Sequence, residues 1–257
     1  MLSPFIINDK NLFLDRYPVA QVNRSLQAWD SADEYLVSYV HDEALISPGA
    51  DVNILVINDN FGAITASILG MYDNVEVFTV NDSFLSSQGI LHNIQQNCLS
   101  THNLTQLTSL DSLPDNIDLI LYKIPKSKSL LIDQLLQIKQ HSCAQTLTFI
   151  AADRAKEIHS STLKYFEKHL GTTTTSLAVK KARLVFCQLD NKVQHTSPFP
   201  TVWELDPVHP STTTFTISNL SNVYARDKID LGARYFLQSL PYIPEGFKVI
   251  DLGCGNG

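Results

Sequence analysis

The last nine residues of the sequence carry the pattern that points most clearly to chemistry. A hydrophobic run, Val249-Ile-Asp-Leu252, leads into Gly253-Cys-Gly-Asn-Gly257. Glycine lets a backbone turn sharply and leaves no Cβ between the loop and a ligand lying against it. The pattern predicts a buried strand at 249–252 that ends in a nucleotide-binding loop.

The spacing of these glycines distinguishes two kinds of cofactor. A dinucleotide-binding loop reads G-x-G-x-x-G and holds a pyrophosphate at a helix N-terminus. Here the third glycine comes one position earlier, and Asp251 precedes the first glycine by two positions. S-adenosylmethionine has no phosphate but has a cationic sulfonium and an ammonium group, which suit a carboxylate. The motif favours S-adenosylmethionine over a nicotinamide-binding loop or a chance glycine turn, and its candidate cofactor-binding residues are Asp251, Gly253, Cys254, Gly255, Asn256 and Gly257.

A weaker copy of this motif lies upstream, where Val56 to Ala63 aligns with Val249 to Asn256. Asn58 replaces the aspartate and Asn60 replaces the first glycine, so a side chain stands where a cofactor would press on the backbone. After a later predicted strand the sequence reads Lys123-Ile-Pro-Lys126, where amino-group methyltransferases usually carry Asn-Pro-Pro-Phe or a relative. We therefore expect a first domain that has the fold without the chemistry, and an unrelated α/β domain is the alternative.

Strands alternate with helices through the first 170 residues. The predicted strands are 53–58, 75–80, 104–108, 118–122 and 146–152, and the predicted helices are 25–41, one from about Gly62, one ending near Asn97, 128–140 and one ending at Gly171. Such alternation predicts a parallel sheet with helices on both faces. Strands at 174–180 and 183–189 follow with almost no loop, which predicts an antiparallel hairpin. The expected fold is an α/β, Rossmann-like, doubly wound sheet with a terminal antiparallel hairpin, the layout of class I methyltransferases.

A second unit is expected to follow this sheet. The stretch 190–201 is polar and contains two prolines, a composition typical of a linker. Beyond it, 202–205 and 213–217 are compatible with a hairpin, and Asp227 is a candidate cap for a helix carrying Ile229, Ala233, Phe236 and Leu240. The predicted organisation is a non-catalytic domain over 1–190, a linker over 191–201 and the start of a second domain of the same fold over 202–257.

The composition limits the classes of protein that fit. No apolar run approaches the ~20 residues needed to cross a bilayer, and no signal peptide begins the chain, so we expect a cytoplasmic protein without membrane contact. Cysteines 98, 143, 187 and 254 show no C-x-x-C spacing and no nearby histidine pairs. They predict neither a metal site nor a disulfide framework.

Charge limits how the chain can hold nucleic acid. The formal net charge is −7, which disfavours binding by bulk electrostatics. Contact with RNA would need local basic patches, for which the candidates are Lys123, Lys126 and Lys128, with Lys180, Lys181 and Arg183 as a second patch; Arg154 with Lys156 and Lys164 with Lys168 are further basic groups. Solvated helix faces and strand ends are the alternative explanation for each of them.

The whole chain resembles the RsmC/RlmG family of bacterial ribosomal RNA guanine-N2 methyltransferases, and its large-subunit member in particular. The segments that carry the resemblance are Arg16-Tyr-Pro18, Leu26–Leu36, Asn58–Ala63, Ile158–Thr175, Lys180–Leu184, Asn222-Val-Tyr224, Asp230–Arg234 and the final glycine loop. The resemblance implies an N-terminal domain that helps to hold ribosomal RNA and a C-terminal domain that binds S-adenosylmethionine and methylates guanine N2, in a protein expected to be a monomer.

The resemblance also implies roles for residues before the glycine loop. In the family the segment containing Tyr224, Asp230 and Gly232 lies beside the cofactor and the target base. The simpler alternative is that Tyr224 packs and Asp230 completes the cap begun at Asp227. The family's Asn-Pro-Pro-Phe motif would lie beyond Gly257, so we expect this chain alone to be inactive. Two other functions stay open: an RNA-binding or ribosome-assembly module without catalysis, and a methyltransferase acting on protein or a small molecule.

Overall fold

The computed structural model describes residues 4–8, 10–21, 26–141, 147–190, 196–207 and 214–256. Several predicted positions lie outside the described residues: position 25 of the first helix, position 146 of a strand, positions 191–195 of the linker, position 213 of a strand, Cys143 and Gly257. The contacts divide the chain into two units, one of residues 1–126 and 135–194, the other of residues 127–134 and 195–257. The predicted boundary near 190 stays a prediction, and the grouping of 127–134 with the second unit was not foreseen.

The helices and strands from Phe5 to Leu189 alternate largely as the sequence predicts, and the helix that begins at Lys128 is divided between the two units. In chain order they are β1 (Phe5–Ile7), β2 (Lys10–Leu12), a 3-10 turn (Val19–Gln21), α1 (Ser31–Asp42), β3 (Val52–Ile57), α2 (Ala63–Met71), β4 (Val75–Val80), α3 (Phe84–Gln96), β5 (Leu104–Leu107), β6 (Leu119–Lys123), α4 (Lys128–His141), β7 (Thr148–Arg154), α5 (Ser160–His169), β8 (Gly171–Thr175) and β9 (Ala182–Leu189). The second unit adds β10 (Thr201–Leu205), β11 (Phe215–Asn219) and α6 (Leu231–Gln238).

Seven strands form one sheet in the order β5-β4-β3-β6-β7-β9-β8. The strands from β5 to β7 are parallel, and β9 runs antiparallel between β7 and β8. The strand order reverses between β3 and β6, which is the point where open α/β sheets bind ligands at the carboxyl ends of their strands. The predicted doubly wound sheet with a terminal antiparallel hairpin is confirmed.

The central strands are buried because their sequences are apolar on both faces. Residues Ile54 to Ile57 of β3 are at most 1% exposed, and all five residues of β6 are buried. Strands covered by helices on both sides show such continuous apolar runs, whereas a strand with one wet face alternates. Their apolar character therefore fixes β3 and β6 at the centre of the sheet.

The first helix begins six residues later than predicted. Asp30 caps it by accepting hydrogen bonds from the amides of Ala32 and Asp33, and the Asp33 side chain accepts one from the Asp30 amide. This reciprocal capping box sets the start of α1 just after Asp30, because it satisfies the first backbone amides of the helix. Leu26, which falls within the helix predicted at 25–41, is outside α1 and 49% exposed.

Two further differences concern strands of the first unit. The predicted strand at 174–180 is observed at Gly171–Thr175, because the Ser176 hydroxyl accepts the Leu184 amide and interrupts the ladder. The antiparallel pairing with β9 is as predicted. The start of the chain was expected to be irregular, but β1 and β2 form a short antiparallel pair whose Phe5 and Leu12 enter the core.

In the second unit the hairpin is confirmed and two predictions are wrong. β10 and β11 pair antiparallel from Thr201↔Asn219 to Leu205↔Phe215, so the predicted linker ends one residue into β10. The cap of α6 is Asp230 rather than Asp227. Residues 249–252 form no strand: a strand needs a hydrogen-bonded neighbour, and no described segment pairs with them.

Within the described residues, no helix is long and apolar enough to span a bilayer. Nor do histidine, cysteine and acidic side chains in that part of the chain gather into a group suited to a metal ion.

Candidate functional site

The glycine loop packs on the segment that precedes α6. The Asn256 side-chain amide donates to the carbonyl oxygen of Ala225 at 3.0 Å and lies 3.4 Å from that of Lys228. A Cβ at Gly255 would lie 3.5 Å from the Tyr224 ring, an ordinary contact distance. The structure thus brings together two sets of predicted residues that are about 30 positions apart in sequence.

The backbone of this loop explains why glycine occurs where it does. Gly253 has a φ of +81° and Gly255 a φ of +60°, in the left-handed region that side chains with a Cβ avoid. Nothing lies within 4 Å of the position that a Cβ on Gly253 would take. Asp251, Gly253 and Cys254 are exposed within the 257 residues.

Asp230 organises the segment on the other side of the loop. Its carboxylate accepts the amides of Gly232 at 2.8 Å and Ala233 at 3.4 Å and the Tyr224 hydroxyl at 3.2 Å. These hydrogen bonds hold the pKa of the Asp230 carboxyl below its ordinary value, and the one from the Gly232 amide has the largest effect. Asp230 therefore starts α6 and keeps a negative charge beside Tyr224.

Sequence reasoning missed Arg226, which fixes this segment to the β10–β11 hairpin. Its guanidinium forms a bidentate pair with Asp227 at 2.9 and 3.0 Å and lies 5.1 Å from the centre of the Phe199 ring. Its carbonyl oxygen accepts hydrogen bonds from the Trp203 indole and the Asn219 amide, both at 2.8 Å. The only sign in the sequence is that Arg226 and Asp227 are adjacent. Their adjacency suggests an ion pair between neighbours, but it does not predict the contacts of Arg226 with the hairpin.

In the first unit, the loop aligned with the glycine motif is filled by its own side chains. The Asp59 carboxylate is 1% exposed and accepts the amides of Gly62 and Thr65 and the Thr65 hydroxyl at 2.8–3.0 Å. Burial raises the pKa of Asp59, against the effect of these hydrogen bonds. Asn58 adopts a φ of +64° and donates to the carbonyl of Lys123 at 2.9 Å. The side chains of Asn58 and Asp59 therefore tie this loop to its own backbone and to the end of β6.

Lys123 fills the neighbouring strand end, and its predicted role in RNA binding is wrong. Its side chain is buried, with the ammonium 2.8 Å from carboxylate oxygens of both Asp30 and Asp33. Burial lowers the pKa of Lys123, but these two carboxylates outweigh it and leave the pKa above its ordinary value. A buried, doubly paired ammonium cannot reach an RNA phosphate.

The other predicted RNA-binding residues are nearer to solvent. Lys126, Lys128, Lys180 and Lys181 are exposed, while Arg183 is half-buried. Lys180 pairs with Glu34 at 2.9 Å. Their role in RNA binding stays a prediction.

The fold is that of class I methyltransferases. The structure of the RsmC 16S rRNA N2 methyltransferase of T. thermophilus, solved with AdoMet and guanosine, matches with a TM-score of 0.61 at 12% identity, over 93% of this chain and 57% of that one. A precorrin-6y C5,15-methyltransferase from Geobacter metallireducens matches with a TM-score of 0.50 at 10% identity, over 65% of this chain and 96% of that one. Both likenesses concern the fold alone.

Sequence comparison identifies the family. Residues 3–191 match the RLMG N-terminal domain and residues 214–257 match the methyltransferase small domain. The chain is 63% identical to the ribosomal RNA large subunit methyltransferase G of Colwellia psychrerythraea, over 100% of this chain and 66% of that protein, and 41% identical to that of Pseudoalteromonas translucida, over 98% and 62%. The chain belongs to the RlmG family, and it spans less than two thirds of the length of these relatives.

Proposed function

We propose that the protein transfers a methyl group from S-adenosylmethionine to N2 of a guanine in large-subunit ribosomal RNA. The observation that carries the proposal is the packing of the glycine loop on the Tyr224–Asp230 segment, fixed by the Asn256 bond to Ala225. The names of the related large-subunit methyltransferases support the RNA substrate. Support for guanine N2 comes from the RsmC structure of the same fold, described with AdoMet and guanosine.

The residues of the second unit suit a cationic cofactor. S-adenosylmethionine, when bound, supplies an electrophilic methyl group on a sulfonium. The open backbone at Gly253 allows close approach of such a ligand, since no Cβ intervenes. Asp251 and Asp230 contribute negative charge, and Tyr224 offers a ring that is 71% exposed. The Asn256 hydrogen bond to Ala225 holds the loop against the segment that contains Tyr224 and Asp230.

The acceptor chemistry needs groups beyond this loop. The exocyclic amine of guanine is a poor nucleophile because its lone pair is delocalised into the ring. An enzyme must unstack the base, accept hydrogen bonds from the amine and align the nitrogen with the methyl group. The family uses Asn-Pro-Pro-Phe there, and the 257 residues contain no such motif.

The first unit is proposed to hold RNA without catalysis. The carboxyl edge of its strands carries the Asp59 hydrogen bonds and the Lys123 ion pairs in place of a glycine-rich loop. The same observation favours a second candidate function, an RNA-binding or ribosome-assembly module without any methyl transfer. The two candidates differ in whether the full-length gene product uses S-adenosylmethionine.

Methyl transfer to ribosomal RNA separates the candidates. The full-length gene product is incubated with S-adenosylmethionine labelled in its methyl group and with large-subunit RNA from a strain lacking the gene. Nucleosides are then analysed by mass spectrometry, and N2-methylguanosine is expected. The Gly253→Val variant, whose side chain would occupy the open face of the loop at a positive φ, should lose this product.

The matched control is Gly246→Val, which changes a glycine outside the predicted site with a similar φ, +85° against +81° at Gly253. It is expected to retain methyl transfer. Label in protein or small molecules but not in RNA would refute the RNA substrate. RNA binding without any label transfer by the full-length product would leave the assembly module.

A further inference from the structure

Two basic segments that are distant in sequence meet at one end of the first unit. The amide of Ala155 donates to the carbonyl oxygen of Lys181 at 2.7 Å, and Arg154 pairs with Ala182 across β7 and β9. Arg154 and Lys156 therefore lie beside the turn between β8 and β9. We name this surface the hairpin surface; its residues are Arg154, Lys156, Lys180 and Lys181.

The side chains of the hairpin surface are available to a ligand. Those of Lys156, Lys180 and Arg154 are 74%, 73% and 54% exposed. Lys156 pairs with Glu157, Lys180 with Glu34 and Arg154 with Asp30, at 2.9–3.9 Å. Asp30 also pairs with Lys123. Exposed pairs of this kind contribute little energy and exchange readily for another anion. Four cations thus gather on a chain whose net charge is −7.

The backbone of the turn is unusual for the residues it contains. Val179 and Ala182 are joined by two hydrogen bonds, so Lys180 and Lys181 are the two central residues of a tight hairpin turn. Their φ values are +45° and +68°. Asparagine and glycine are preferred at such positions because a Cβ is disfavoured there. Two lysines persist at a conformational cost, and such outliers point to a function of their side chains.

The positive charge of the hairpin surface and the exposed turn between β8 and β9 favour RNA as the ligand. Lysine and arginine bind phosphodiesters by displacing counterions, whatever the base sequence. Leu177, in the same loop, is 87% exposed and offers an apolar contact beside the lysines. We propose that the hairpin surface binds the phosphodiester backbone of ribosomal RNA, with Lys156 and Lys181 as phosphate-binding residues. This inference rests on the proposed RNA substrate and specifies which face of the first unit holds it.

Salt-dependent binding tests the proposal. The full-length gene product is titrated with large-subunit ribosomal RNA at several salt concentrations, without cofactor, so that binding and methyl transfer fail separately. The variant K156A/K181A should bind about tenfold more weakly at low salt. Its salt slope should fall by roughly two units, close to one for each lost phosphate contact. The matched control K164A/K168A removes two lysines from α5 and should change neither quantity.

A second variant separates RNA binding from folding. Lys181→Gly relieves the positive φ, so it should raise the melting temperature while it weakens RNA binding. A Lys181→Gly protein that binds RNA as tightly as the parent would overturn the proposal. Equal losses in the α5 control would overturn it as well, because binding would then follow net charge alone. Unchanged RNA affinity with weaker binding to large-subunit particles would assign the surface to a protein partner instead.

Discussion

The ammonium of Lys123 lies 2.8 Å from the Asp33 carboxylate, and both side chains are buried. Asp30 holds the same ammonium at the same distance. Asp30 caps α1 and Asp33 lies in its first turn, while Lys123 ends the central strand β6. This contact joins α1 to the edge of the sheet where related folds bind ligands. At this edge the side chains therefore stabilise the first unit.

Lys123→Met should strongly destabilise the chain. The variant keeps the length of the side chain but leaves two partly or fully buried carboxylates without their cation. Removing one partner of a buried ion pair costs about 3–5 kcal/mol. The free energy of unfolding, measured by urea denaturation, should fall by that amount. Lys126→Met changes an exposed lysine three positions away and should stay within about 0.5 kcal/mol of the parent. Equal stability of the two variants would contradict the role of the ion pair.

Asp33 should make stability depend on pH in an unusual direction. Burial raises the Asp33 pKa from 3.8 to about 6. The Lys123 charge offsets this effect only in part, and the negative charges of Asp30 and Asp59 add to it. Between these values the folded chain holds a proton that the unfolded chain has lost. This group's contribution to the free energy of unfolding is therefore greatest below pH 4 and falls as the pH rises to 6, by on the order of 3 kcal/mol.

Comparison of Asp33→Asn with the parent isolates this contribution. The difference in free energy of unfolding between the two proteins should change between pH 4 and 6 and be constant above pH 7. Asp51→Asn alters an exposed aspartate and should show no such change in that window. A difference that is constant from pH 4 to 7 for Asp33→Asn would show that its pKa is not raised.

Gly171→Ala should separate β8 from β9. A Cβ at Gly171 would lie 2.3 Å from the carbonyl oxygen of Gln188 and 2.9 Å from the amide of Asp190, both backbone atoms, at a φ of +144°. Overpacking and a glycine-only backbone each cost about 1–3 kcal/mol, so we expect a loss of about 2–4 kcal/mol. Gly70→Ala in α2 has no contact shorter than 3.6 Å and should be neutral or stabilising by about 0.5 kcal/mol. A tolerated Gly171→Ala in thermal denaturation would refute the close packing of this hairpin.

Asp230→Ala should loosen the start of α6. The variant removes the acceptor for the Gly232 and Ala233 amides and for the Tyr224 hydroxyl. Hydrogen exchange at these two amides should become faster, because a lost cap leaves them open to water. Asp227→Ala removes a carboxylate three positions earlier that pairs with Arg226, and it should leave both amides unchanged. Faster exchange in Asp227→Ala instead would restore the cap predicted from the sequence.

Local sequence patterns determined most of the first unit. The strand predicted at 75–80 is β4 itself, and the continuous apolar run of β3 was recognisable without a structure. The glycine spacing at 253–257 predicted a ligand loop and its kind of cofactor. These properties depend on residues within a few positions of each other, so the sequence contains them directly.

Only the tertiary structure decided which charged residues meet. Lys123 stands where the sequence suggested a phosphate contact, yet Asp30, 93 positions earlier, pairs with it through the packing of α1. At the hairpin surface, likewise, the Ala155 amide donates to the carbonyl oxygen of Lys181, which brings two segments distant in sequence together. The strand 249–252 was predicted from its apolar residues, but no described segment pairs with it. Burial, ion pairing and strand pairing are interactions between distant segments, and local composition does not specify the partner.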